Sequence, residues 1–62
     1  MKMNDTVYVL TGIIKDLTNK RDYWLAKISA DNTDETNRSY DDTAYGLQLA
    51  INLVNNEIRE LM

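Results

Sequence analysis

The chain has 62 residues and contains no cysteine, histidine or proline; it is 44% hydrophobic and 27% charged, with a net charge of −3. That composition leaves no disulfide framework, no thiolate zinc site and no imidazole base or metal ligand. A chain this short forms one domain, residues 1–62, and domains below about 70–80 residues are usually held by disulfides, a metal or another chain, of which only another polypeptide remains.

In the first half, apolar residues recur at Val7, Leu10, Ile14, Leu17, Trp24 and Ile28, in alternating steps of three and four that only Arg21 interrupts. This spacing predicts helix 1 over about 5–29. In the second half the same rhythm runs through Tyr40, Ala44, Leu47, Ile51, Val54, Ile58 and Leu61, predicting helix 2 over about 33–61. Each series reads as a heptad seam. Between them lies the one polar stretch, residues 29–39, and a helical hairpin needs only a short connection there. The predicted fold is all-α, an antiparallel helical hairpin assembling into a homo-oligomeric bundle, with a dimer making a four-helix bundle as the simplest closed form.

A competing ββα reading takes residues 6–14 and 23–28 as strands, because β-branched and aromatic residues favour them. The unbroken helical rhythm and the lack of an Asn-Gly or Asp-Gly hairpin turn argue against it. Pairing the two seams head to tail sets Val7 against Val54, Leu10 against Ile51, Ile14 against Leu47, Leu17 against Ala44, Arg21 against Tyr40, Trp24 against Asn37, and Ile28 against Thr33. The fold-back then falls between Ala30 and Asp31. Asn32 with Glu35 three residues later resembles a capping box, and Asp34 and Glu35 suit the start of a helix dipole. A second option leaves 30–39 as loop and starts helix 2 near Tyr40, capped by Ser39.

Several apolar residues fall outside the seam. Tyr45, Leu49 and Leu53 form a row of four-residue steps on the far side of helix 2, and Val9 and Ile13 widen the stripe of helix 1. A lone hairpin leaves them in water, so they are the candidate interface for a second copy or another protein. Gly12 and Gly46 each weaken a helix by about 1 kcal/mol relative to alanine, and Gly46, beside that row, suits a close helix approach.

Arg21 at a seam position is predicted to pair with Asp41 or Asp42 and to lay its stem on Tyr40. Asn37 is placed to accept the Trp24 indole N–H. The acidic residues Asp31, Asp34, Glu35, Asp41 and Asp42 cluster with one base, Arg38. They lack the spacing and glycine of a calcium loop and read as acidic surface. With no catalytic set or cofactor motif, the protein is expected not to be an enzyme and to carry no cofactor or metal. The acidic balance argues against a nucleic-acid partner; a basic face would need Lys15, Lys20 and Lys27 together, and only the last two fall near one another. No run approaches the ~18 apolar residues of a membrane span. No secretion signal is visible at Met1–Thr6, which gives a cytoplasmic expectation.

Residues 17–24, Leu-Thr-Asn-Lys-Arg-Asp-Tyr-Trp, and residues 45–54, Tyr-Gly-Leu-Gln-Leu-Ala-Ile-Asn-Leu-Val, with Glu57 and Ile58, resemble small helical proteins encoded by phages and prophages of Gram-positive bacteria. The resemblance extends over most of the chain and contains no diagnostic motif. It implies a protein that binds a host protein, including the inhibitors of bacterial defence systems, and it transfers no functional residue. The functional expectation is a non-enzymatic protein-binding module, with a structural or regulatory oligomerisation module as the first alternative and a small nucleic-acid-associated helical bundle as the second.

Overall fold

The structure, a computed structural model, describes residues 3–62, with the side chains of 5–62. It consists of two α-helices, α1 (Met3–Leu25) and α2 (Asp34–Leu61), joined by residues 26–33 and packed along their length. No strand occurs among the described residues, so the ββα alternative is excluded. The β-branched run in α1 is helical because its residues fall at helical spacing against α2. Burial of that stripe outweighs the weak local preference for strand.

The seam is the one read from the heptads. Val7, Leu10, Ile14, Leu17, Arg21 and Trp24 of α1 are partly buried, facing Tyr40, Leu47, Val54, Ile58 and Leu61 of α2. Among the described residues only Ala44 and Ile51 are buried outright. Burying one isoleucine side chain contributes about 1.5–3 kcal/mol and an alanine methyl much less, so this core is thin. Ile28, the last predicted seam residue, is exposed because α1 has already ended.

Helix 1 stops at Leu25, four residues before the expected boundary, for reasons the loop supplies. The last turn tightens: Ala26 N–H donates to Asp22 at 2.9 Å, then Lys27 N–H to Trp24 and Ile28 N–H to Leu25, both at 3.2 Å. The last two are the three-residue spacing common at helix ends. The Asn32 side chain then donates to the Lys27 carbonyl at 2.7 Å, satisfying an acceptor that a longer helix would have used.

Asn37 closes the connection from the other side. Its amide donates to the Ser29 carbonyl at 2.8 Å, and its oxygen accepts from Ser29 N–H at 3.2 Å and from the Asn32 amide at 3.0 Å. It is therefore a clamp across the loop and not the acceptor for the Trp24 indole. No described residue has a positive φ and none is cis, so the chain reverses without glycine in the loop. Side-chain hydrogen bonds of Ser and Asn supply what a left-handed residue often supplies elsewhere.

The cap of α2 lies one residue past the predicted Asn32 box. Thr33 is extended (φ −70, ψ 157) and its hydroxyl accepts from Thr36 N–H, with Asp34 and Glu35 in the first turn where the helix dipole favours acids. Helix 2 starting near Tyr40 is excluded; the Ser39 carbonyl lies inside α2 and accepts from the Thr43 hydroxyl at 3.0 Å. The shorter α1 also moves the register. Trp24 meets Tyr40, their ring centroids 5.7 Å apart, three residues beyond the predicted Asn37.

Gly12 and Gly46 meet nothing within 4 Å at the position of a β-carbon, so neither serves a close approach within the hairpin. Gly12→Ala is expected to stabilise by about 1 kcal/mol, seen as a rise in melting temperature of roughly 4–8 °C. Asn37→Ala, by contrast, should lower stability by about 1–3 kcal/mol in urea titration, because it strips partners from both polar groups of Ser29 and from Asn32.

Candidate interaction surfaces

Arg21 sits on the seam where charge is costly, and the structure shows how it is satisfied. Its Nε and Nη2 donate to the Asp22 carboxylate at 3.0 and 2.8 Å, and Nη1 donates to the Gln48 side-chain oxygen across the helix pair. Gln48 in turn donates to Asn52 at 2.9 Å. The ion pair forms with the neighbouring Asp22 and not with Asp41 or Asp42 as the seven-residue pairing predicted. An exposed pair of this kind contributes about 0–1 kcal/mol, so Gln48 is the contact that ties α1 to α2. Gln48 follows Ala44 by one helical turn, a position that sequence spacing alone marks as flanking the seam.

Around this node Arg21, Leu25, Asp41, Ala44, Tyr45 and Gln48 line a shallow groove on one side of the hairpin. Tyr40 lies beyond it, stacked at a tilt on Trp24. Trp24 also meets Tyr23 edge to face at 5.4 Å, and Lys27 lies over the Tyr23 ring at 4.7 Å. An amine that close to a ring face is held by about 0.5–1 kcal/mol.

The acidic residues Asp31, Asp34, Glu35, Asp41 and Asp42 are all exposed at the loop end. Among the described residues, no group of three carboxylates converges closely enough to hold a metal ion. Lys20 borders a surface recess with Asp16, Asn19, Tyr23 and Trp24, whereas Lys15 lies with Tyr8, Val9, Thr11 and Gly12. No helix of the described residues is long and apolar enough to cross a membrane.

The five apolar residues singled out for an interface, Val9, Ile13, Tyr45, Leu49 and Leu53, are all exposed, but they do not make one patch. Tyr45 belongs to the groove beside Arg21. Each four-residue step on a helix drifts by roughly 40°, so the row from Tyr45 to Leu53 winds from one flank of α2, past the point opposite the seam at Leu49, to the other flank. Leu53 therefore lies on the side away from the Arg21–Gln48 node. Val9 and Ile13 occupy that same side of α1.

No family model, curated protein or solved structure matches this chain.

Gln48→Glu replaces a neutral acceptor with an anion facing Arg21, a stronger charge-assisted bond. The expected gain is about 0.5–1 kcal/mol at low salt, vanishing in 1 M NaCl where screening acts within about 3 Å. Paired urea titrations at the two salt concentrations check it.

Proposed function

We propose that the protein is a non-enzymatic protein-binding module that works as a homo-oligomer, most simply a dimer, of helical hairpins. One observation carries this reading: among the described residues two are buried, while Tyr8, Val9, Ile13, Tyr45, Leu49 and Leu53 stand exposed on a chain of this size. Scattered single apolar residues are normal on a surface, but apolar residues grouped along helix faces mark association sites. Surface recognition is also the chemistry left to a sequence without cysteine or histidine.

The resemblance to phage and prophage proteins points to a bacterial protein as the target, with inhibition of a host or defence protein in the host cytoplasm as the role. The acidic loop end, with Asp31, Asp34, Glu35 and Asp42 exposed, offers a steering field towards a basic surface on that target.

Tagged wild-type protein and the Leu49→Glu/Leu53→Glu variant, each applied to bacterial lysate, test the reading. The expected outcome is a host protein retained in fixed proportion by the wild type and lost with the variant. Retention of the same proteins by both, or of none by the wild type, would overturn it.

A further inference from the structure

We infer that the face bearing Val9 and Ile13 of α1 with Gly46, Ala50 and Leu53 of α2 is the surface on which a second copy of this chain docks. The inference rests on the homo-oligomeric reading above and specifies its geometry.

The Arg21–Gln48 contact and the groove shared with Leu25, Asp41 and Tyr45 fix which flanks of the two helices face the same way. At about 100° per residue, Thr18, Asp22, Asn52 and Arg59 fall on that groove side, so it is polar and charged. Val9, Ile13, Gly46, Ala50 and Leu53 fall on the opposite side. On the same wheel Lys20 and Asp16 fall on this side at the loop half and Glu57 at the other, and Asp5 lies beside Val9, so the apolar residues form a strip with charges at both ends. The longer continuous apolar strip, Val9, Ile13, Ala50 and Leu53, thus lies on the side away from the Arg21–Gln48 groove.

The surface area says how much cover the chain lacks. Its accessible surface is 4869 Å², whereas a compact monomer of 7.2 kDa exposes about 4,100 Å². The excess, roughly 700–800 Å², is about what one partner contributes to an interface of standard size. The shape agrees: the radius of gyration is 14.8 Å and the extents are 49 × 15 × 11 Å, against a radius of about 11 Å for a globular chain of this length. A second hairpin laid along the apolar strip covers the excess surface and thickens the 15 and 11 Å dimensions, which lessens the elongation.

The surface relief also suits a helix. Beyond its own helical turn, Gly46 meets nothing within 4 Å of where a β-carbon would stand, and Ala50 follows one turn later. Two small residues one turn apart beside Leu53 let the backbone of an opposing helix approach, with its side chains packing as ridges into grooves.

Sedimentation equilibrium of the purified chain is expected to give about twice 7.2 kDa. Val9→Glu and Leu53→Glu should each weaken association by about tenfold or more, roughly 1.4 kcal/mol, while Tyr45→Glu on the groove side leaves it unchanged. Because the chain has no cysteine, single-cysteine variants give a second readout that avoids burying charge. A short bismaleimide should link Leu53→Cys chains far faster than Asn52→Cys chains, the two positions being adjacent in sequence and on opposite sides. A monomeric wild type overturns both this inference and the homo-oligomeric reading. A dimer that Tyr45→Glu disrupts, or that links faster through Asn52→Cys, overturns this inference alone.

Discussion

Two helices lying against each other share one line of contact, and everything else on their surfaces faces outwards. In this chain the line runs through Val7, Leu10, Ile14 and Leu17 on one side and Ala44, Leu47, Ile51 and Val54 on the other. Ala44 and Ile51 are, among the described residues, the only ones fully withdrawn from water. A stripe wider than one line has nowhere to go inside a hairpin, and here both helices carry wider stripes. The elongated shape, the exposed side chains and the apolar strip away from the groove all descend from that geometric limit.

The helix pair is held in place less by its core than by two polar contacts near one end. Arg21 reaches Gln48 across the seam, and Asn37 spans the connection to Ser29 and Asn32. Each contributes about 1–3 kcal/mol at most. Both are directional, however, and apolar side chains on a smooth seam are not. They determine which turn of α1 meets which turn of α2, a choice that the hydrophobic stripes leave almost open.

That division explains what could be read from the amino acids and what could not. The seam residues, the all-helical fold and the bounds of α2 follow from apolar spacing, which is a local property. Where α1 ends is not local: Leu25 is followed by Ala26, Lys27 and Ile28, all compatible with helix. The stop comes from Asn32 taking the Lys27 carbonyl and from Asn37 taking Ser29, contacts that exist only once the chain has turned. The partner of Trp24 moved with that boundary, since two seven-residue stripes fit one another in any register. Arg21 was legible as a polar residue on the seam, but its partner Gln48 was not, because the register decided it. The apolar row Tyr45, Leu49 and Leu53 looked like one face; the drift of four-residue steps around a helix divides it between two.

The clamp at the turn also sets an order of events along the molecule. Bringing Ser29 to Asn37 closes a loop of a few residues, whereas bringing Val7 to α2 encloses most of the chain, and closure entropy grows with loop length. Contacts therefore zip from the turn towards the open end, and they loosen in the reverse order. Val9, Ile13 and Leu53 stand in that open half, the part of the hairpin that is last to close and first to fray. Whatever seats there acts on the zipper as well as on the surface. By mass action, a partner that occupied that face would complete the fold at its weakest end, so its binding would be coupled to the last step of folding.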